Sequence, residues 1–375
     1  MTCPHCQEAA RFHRWQAKTV VSALGALSFE RAYYYCRHCG HGHCPWEALL
    51  GLTSQDLTPA ASELTSLAGV VAPFEEVSQK ILPKLAGLRL CESTAQRTTE
   101  ATGCRLSQAR AAGALFGEAR AWDWTRDARG RPCAYVSVDA TGVGQQGPQG
   151  GKAEGRMVYV GLVFNARADG PSQARYLAGL YELDELGLQL RRQAGQVGMD
   201  QAEQWVALTD GGAGLEEFMA KNFPRAECIL DFFHAAEHLN ELAKAWHPQD
   251  EEQARALGRD WCQRLKQEGG AAVLALLEEL DQRGRSPAAR EVYRQVTQYV
   301  RNNVHRMDYP RYRTNGWLIG SGHVEAACKT VVGQRLKGAG MRWSEDGADA
   351  VATLRALFKS EPGQWDAFWR PRAAA

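Results

Sequence analysis

Apolar and polar positions alternate from Tyr135 to Val138 and on through Asp139 to Gly142, and this alternation predicts a strand. Tyr135, Val136 and Val138 are aromatic or β-branched, the run ends at glycine, and its length suits a strand better than a helix. A second alternation covers 157–164 and a weaker third covers 176–181. Positions 183–197 take helical spacing. Short apolar strands at 205–209 and 228–230 then flank a helix at 215–222.

The flanking patterns are helical. Between 58 and 117, Leu64, Leu67, Ala68 and Val71 fall on one face, and Val77, Ile81 and Leu85 on the next, at the spacing of buried helix positions. Ala86 to Leu90 form a tight turn, after which Ser93 or Thr94 caps a helix carrying Gln96, Arg97, Thr98 and Thr99. Helix, glycine turn, then a helix with short polar residues and an arginine is the layout of a helix-turn-helix; a plain helical hairpin shares it. Positions 234–304 are almost wholly helical, far more than a connection needs, and predict an inserted subdomain. Glycines return at 316, 320 and 322, a helix over 323–337 carries Glu325, and a last helix spans 346–358. Positions 117–132 read as a linker and 142–155 as a glycine-rich loop.

Three hairpin-like strands, a helix, a strand, a helix and a strand follow the order of a ribonuclease-H-like α/β core. The expected architecture is therefore such a catalytic core with an all-helical insertion, preceded by an N-terminal zinc ribbon and a helix-turn-helix. Its divisions are 1–52 for the ribbon, 53–120 for the helical DNA-binding domain, 132–235 and 314–375 for the core, and 236–313 for the insertion.

The zinc expectation rests on Cys3-x2-Cys6 and Cys36-x2-Cys39, with strand-like runs at 18–22 and 27–35 between the pairs. Two such knuckles bring four thiolates within tetrahedral reach of Zn²⁺, which replaces a core so small a unit cannot build. Cys44, with His38, His41 and His43 nearby, is an alternative ligand that leaves Cys39 the least secure. Arg11, His13, Arg14 and Lys18 are candidate DNA contacts; the alternative is a zinc-stapled fold without that role.

Composition is ordinary for a globular chain of 375 residues with net charge +1. No apolar run approaches the roughly 20 residues that span a bilayer, and the first residues lack the basic head and apolar stretch of a signal peptide. A cytoplasmic protein is expected, with its Cys-x-x-Cys pairs binding metal. Charge is unevenly spread: 285–342 holds eleven Lys or Arg against three acids, whereas 181–280 holds nineteen acids and nine Lys or Arg. A local basic face suits phosphate contacts made residue by residue. Lys329, Arg335, Lys337 and Arg342 are the candidates, although at i, i+6 and i+8 only some share a helix face.

Asp139 falls in a core strand, where a carboxylate is either satisfied locally or used for chemistry. Asp210 ends a strand before Gly211 and Gly212, and Glu325 lies on a later helix. Two hard divalent cations about 3.5–4 Å apart, held by carboxylates and water, can cut or join a phosphodiester. In that arrangement Asp139 bridges both ions, Asp210 holds one and Glu325 the other. Each acid alone could instead be a cap or an ion pair, Glu325 with Lys329 one turn on. Asp231, three before His234, competes with Asp210; the following glycines favour Asp210. Asp231 and His234 are read as supporting residues that fix the start of a helix or touch DNA. Trp317 and Trp343 either stack on an unpaired base or pack in the core.

Asp210-Gly-Gly-Ala-Gly-Leu, Phe223-Pro224, Asp231-Phe-Phe-His234, the helical insertion, Gly320-Ser-Gly-His-Val-Glu325-Ala-Ala-Cys-Lys329, and Arg335, Lys337 and Gly340-Met-Arg342-Trp343 together resemble bacterial insertion-sequence transposases of the DDE class. Within that class the sequence is most similar to the Kra-type group, akin to the Mutator-like superfamily. The resemblance spans nearly the whole chain, and the Glu325 segment is its most specific part. It implies a ribonuclease-H-like fold, a magnesium-dependent triad of Asp139, Asp210 and Glu325, and binding of the element's ends. It also implies that Asp231 and His234 are the acid- or cysteine-x-x-histidine motif found between the second and third catalytic acids. One departure is at the start, which lies almost on the first cysteine where relatives often carry more residues.

The expected activity is cleavage at element ends followed by strand transfer, with two Mg²⁺ or Mn²⁺ per active site and a structural Zn²⁺. The expected partner is double-stranded DNA, both element ends and target, bound by a homodimer or larger assembly, with Arg97 of the helix-turn-helix as a further contact. Two rivals are a domesticated nuclease that cuts without integrating and a non-catalytic DNA-binding regulator.

Overall fold

The computed structural model describes residues 1–52, 56–148, 151–167, 172–212 and 214–370. At the N-terminus β1 (Arg11–Ser22), β2 (Gly25–Tyr35) and β3 (Gly42–His43) form an antiparallel sheet, followed by α1 (Pro45–Leu49). Helices α2 (Pro59–Val71), α3 (Phe74–Glu76), α4 (Leu82–Leu85) and α5 (Glu92–Ala111) come next, with a π-turn at Val77–Ile81 between α3 and α4. Thr58 caps α2 through Ala61 N–H and Pro59 opens it, a favourable start because proline gives up no helical hydrogen bond there.

The second sheet has five strands: β4 (Cys133–Gln146), β5 (Lys152–Asn165), β6 (Gln173–Gly179), β7 (Gln204–Thr209) and β8 (Ala226–Leu230). Their order is β6-β5-β4-β7-β8. β5 is antiparallel to β4 and β6, whereas β7 is parallel to β4 and β8 parallel to β7. α6 (Leu183–Gln196) and α7 (Leu215–Asn222) are the crossovers. They cover the face that carries Ala134, Val136 and Val138.

The opposite face carries Tyr135, Leu162, Leu208 and Ile229 and is covered by the segment expected to be an insertion. This comprises α8 (Phe232–Trp246), α9 (Glu251–Glu268), α10 (Gly270–Glu278), α11 (Pro287–Asn303) and α12 (Tyr309–Thr314). Leu239, Leu242, Tyr309 and Tyr312 are buried in that same core, so these helices supply one layer of the sandwich. Each such fully buried large side chain contributes roughly 1.5–3 kcal/mol relative to exposure. α13 (Gly322–Ala327), a π-turn at Cys328–Gly333, α14 (Gln334–Leu336) and α15 (Glu345–Lys359) cover the far end of this face against Val158, Val160 and Ala178. A short α16 (Gln364–Trp369), which the apolar pattern does not predict, follows.

Several expectations are corrected. The anticipated loop at 142–155 is largely strand: β4 runs to Gln146, with Gly142 opposite Met157 and Val143 opposite Arg156. Ladder pairing with the apolar β5 overrides the low strand preference of glycine. Cys91, and neither Ser93 nor Thr94, is the N-cap of α5, and both hydroxyls lie within hydrogen-bonding distance of its sulfur. Of the predicted face Ala68 is buried, but Leu64 and Leu67 are only half-buried and Val71 is 53% exposed, whereas Ala61, Ser62, Thr65, Ser66 and Gly69 of α2 are buried. Small residues win that face because α5 comes close: a Cβ on Gly69 would strike Thr99, and one on Gly103 of α5 would meet the Ala350 backbone of α15. α5 is thus packed directly on α15.

Candidate active site

The parallel pairing of β4, β7 and β8 stops at one edge. Ser137 pairs with Leu208 and Thr209 with Leu230, so Asp139 lies two residues past the last β4–β7 pair, Asp210 directly after β7 and Asp231 directly after β8. Open α/β sheets bind ligands at this carboxyl edge.

Asp231 is fully buried and engaged. Its carboxylate accepts from Phe233 N–H at 2.9 Å, capping α8, and from the Ser321 hydroxyl at 2.5 Å. Its own N–H donates to Thr209 O at 2.8 Å. This carboxylate therefore fixes the start of a helix, one of the two roles read for it, and both its oxygens already serve protein donors. Gly320 lies against the same junction, where a Cβ would meet the Phe233 ring.

Asp210 is half-buried, and its Oδ1 accepts from Gly212 N–H at 3.0 Å. Behind it the buried Arg306 donates to Thr209 Oγ1 at 3.1 Å and pairs with Glu216 at 3.3 Å. Asp139 accepts from Ala140 N–H at 2.6 Å and from Cys328 Sγ at 3.4 Å. Burial raises the Asp139 carboxyl above the ordinary aspartate value; the Asp210 charge adds to this, and the Ala140 and Cys328 donors and the His234 charge oppose it.

Glu325 and Cys328 are three residues apart on one helical segment and therefore share a face. The thiol that meets Asp139 also feels the Glu325 charge. Glu325 Oε1 lies 3.2 Å from Ser321 Oγ, and Oε2 lies 3.8 Å from Lys329 Nζ, the i, i+4 pair anticipated above. With 38% of its side chain exposed, Glu325 is free to turn toward a ligand. A hydroxyl has one proton, so the shorter contact to Asp231 takes most of it. His234 is half-buried on the first turn of α8, with Nδ1 3.8 Å from Glu237.

The structure thus brings Asp139, Asp210, Glu325 and His234 to one region, with Asp231 and Ser321 beneath it. The donors available are hard carboxylate oxygens, the set that suits Mg²⁺ or Mn²⁺. Among the described residues, the only group of three or more His, Cys, Asp or Glu whose ligand atoms all lie within 4.8 Å of one another is Cys3, Cys6, Cys36 and Cys39. Asp139, Asp210 and Glu325 are not drawn together to that degree.

The phosphate-contact candidates divide. Lys337 is exposed and donates to Thr141 Oγ1, two residues beyond Asp139 on the same face of β4. Lys329 and Arg342 are exposed, as is Arg97 on α5. Arg335 departs from the expectation. It is 2% exposed, donates from Nε to Gly69 O at 2.7 Å, and lies 4.6 Å from the Phe74 ring and 4.9 Å from the Trp343 ring. Its guanidinium pins α2 to the core and is closed to phosphate. Trp317 and Trp343 are both core residues, their indole N–H groups donating to Asp127 at 3.3 Å and Leu336 O at 3.0 Å. Much of the basic run is neutralised by distant acids: Arg301 by Glu278, Arg311 by Glu227 and Arg306 by Glu216. Sequence reasoning missed Ser321, Cys328 and Arg306; Ser321, four before Glu325, and Cys328, three after it, carried a readable helical-spacing signal, and Arg306 carried none.

In the N-terminal unit the Cys3 and Cys39 sulfurs are 3.7 Å apart and the Cys6 and Cys36 sulfurs 3.6 Å. A tetrahedron with Zn–S of about 2.3 Å has edges of about 3.8 Å, so this group can hold zinc. The two knuckles are built alike, with Gln7 N–H bonded to Cys3 O and Gly40 N–H to Cys36 O, both donors at positive φ. Cys44 is buried outside the group, and Cys39 takes its place in it. No helix among the described residues is long and apolar enough to cross a membrane. Compared with known proteins, the chain matches no protein-family model and no curated protein.

Proposed function

We propose that the chain is a DDE-class DNA transposase that binds the ends of an insertion sequence, cleaves them and joins the freed 3′-hydroxyl to target DNA. What supports this reading is the placement of Asp139 on a central strand, of Asp210 at the end of its parallel neighbour, and of Glu325 on the helical segment whose Cys328 meets Asp139. The order β6-β5-β4-β7-β8, two antiparallel neighbours on one side of β4 and two parallel strands on the other, supports a ribonuclease-H-like core.

Asp139, Asp210 and Glu325 would hold two Mg²⁺ or Mn²⁺, which when bound activate the attacking oxygen and stabilise the leaving one. The chain's own part is positioning. β4 fixes Asp139, the Asp210–Gly212 turn fixes the second acid, and Ser321 on Asp231 sets the base of the Glu325 helix. Lys329, Lys337 and Arg342 are placed on the exposed side to meet backbone phosphates, and Arg97 to meet duplex DNA from α5. The sulfur spacing supports a zinc ribbon at the N-terminus. In this reading the protein works on double-stranded DNA in the cytoplasm as a homodimer or larger assembly.

The test is incubation of purified protein with the DNA flanking its own gene and Mg²⁺ or Mn²⁺, followed by mapping of cuts and joints. Cuts at element ends with joined products are expected, and Asp139→Asn should bind ends but make neither. Cuts without joints favour the nuclease alternative, and cleavage retained by Asp139→Asn overturns the triad.

A further inference from the structure

We infer that Tyr299, on a helix of the insertion, is a positioning residue for Asp210, and that the insertion is thereby part of the catalytic machinery. The inference rests on the proposed function. It starts from the turn after β7, where Asp210 Oδ1 accepts from Gly212 N–H at 3.0 Å. Carboxylate and turn are one unit, so whatever fixes Gly211 between them fixes the orientation of Asp210.

Gly211 is fixed by an aromatic ring from 88 residues further along. A Cβ built on Gly211 would collide with the Tyr299 ring edge, lying 2.8 Å from Oη and 3.0 Å from Cζ. Only glycine lets the ring sit this close. The ring also packs on the insertion's own α8, with its centroid 4.1 Å from that of His238. α11 is anchored by the buried Val296 and Val300, in the core cluster that also contains the buried Leu239 and Leu242 of α8. The series Gly211, Tyr299, His238 therefore runs from the catalytic turn into the insertion without a gap.

The hydroxyl is buried and makes no hydrogen bond, whereas the phenol feels the charges of Asp210 and Asp231. Shape is what the ring contributes to this contact. Arg306, from the turn after α11, reaches Thr209 immediately before Asp210, so the insertion grips the chain on both sides of Asp210, at Thr209 and at Gly211. A displaced metal-binding acid is costly, since a misplacement of about 1 Å can lower a rate by about 100-fold.

The experiment measures cleavage and duplex binding in four variants. Tyr299→Ala should lower the cleavage rate by about tenfold or more while end binding stays within about twofold. Tyr299→Phe, which keeps the ring, should recover most of that loss. Gly211→Ala should be as harmful as Tyr299→Ala, and Gly211→Ala/Tyr299→Ala should be no worse than either single change, because the second removes the clash made by the first. Independent, multiplying losses, or a Tyr299→Ala enzyme that cleaves normally, overturn the inference. Melting temperatures of the same four proteins without divalent cation read the contact directly: Gly211→Ala should lower the value, and adding Tyr299→Ala should restore part of it. Absence of wild-type cleavage would count against the proposed function, and with it the positioning role, while the melting cycle still reports whether the ring seats the turn.

Discussion

Cys328 donates its thiol hydrogen to Oδ2 of Asp139 across 3.4 Å. The central carboxylate is thus met by a weak donor instead of a lysine or arginine, and its charge stays largely uncompensated. Burial and the Asp210 charge raise its folded-state pKa. A raised carboxyl pKa means that the fold favours the neutral form: this group's contribution to stability is present at acidic pH and is lost as pH rises through the folded value. Asp139→Asn should therefore melt at higher temperature than wild type at neutral pH without divalent cation, and the gap should close on acidification. Mn²⁺ should stabilise wild type by mass action, by about 2.7 kcal/mol at 100 times its Kd, and Asp139→Asn much less. Thermal melts across pH, with and without Mn²⁺, check both. Identical curves for the two proteins would sink the assignment of Asp139 as the central ligand.

Ser321 makes a different demand on the site. Its hydroxyl serves a fully buried Asp231 and touches Glu325. Ser321→Ala removes that donor and leaves a buried carboxylate oxygen without a partner, at a cost of about 1–3 kcal/mol. Denaturant unfolding should show this loss. Asp231→Asn keeps an acceptor for Phe233 N–H and offers an amide to Ser321, so it should unfold closer to wild type than Ser321→Ala does. The opposite order would show that Ser321 is not what satisfies Asp231.

These two relationships mark what could be read from the residues in advance. The strand runs around Asp139, before Asp210 and before Asp231 were legible because each is a short apolar stretch rich in aromatic or aliphatic residues. The Cys-x-x-Cys pairs were legible because metal chemistry fixes their spacing. The glycines at 142 and 144 misled, since their low strand preference was overridden by pairing with β5. Tyr299 and Arg306 could not be found, because their roles arise from contacts with residues about 90 positions away. Arg335 looked like a phosphate ligand because a local run of positive charge does not reveal which guanidinium lies between two aromatic rings.

The N-terminal unit gives a prediction independent of catalysis. Its small cluster contains only ribbon residues, among them Cys3, Ala10 and Cys36, too little apolar surface to hold two strands in register without a staple. Structural zinc in comparable small units is worth on the order of 10–16 kcal/mol. Metal analysis should find one zinc per chain, and Cys36→Ser should lose it. The zinc-free protein should lose protection from hydrogen exchange in β1 and β2 but keep it in β4 and β7. Protection of β1 unchanged after zinc removal would mean that the hairpin is held by other contacts, such as Lys18 with Asp56.

Arg335 and Lys337 lie two residues apart and should fail in opposite ways. Lys337 is exposed beside Thr141 of β4; each phosphate contact contributes about 0.9 to the slope of log K against log salt. Lys337→Ala should therefore weaken DNA binding at low salt, reduce that slope by about one, and leave the melting temperature in place. Arg335 is buried between Phe74 and Trp343, where desolvation lowers its pKa to about 10. Arg335→Ala removes two ring contacts and the hydrogen bond to Gly69 O, together worth more than about 2 kcal/mol. It should lower the melting temperature and keep the salt slope of whatever protein remains folded. If Arg335→Ala instead flattened the salt dependence without loss of stability, its guanidinium would have to reach phosphate, and the packing of α2 against the core would need another explanation.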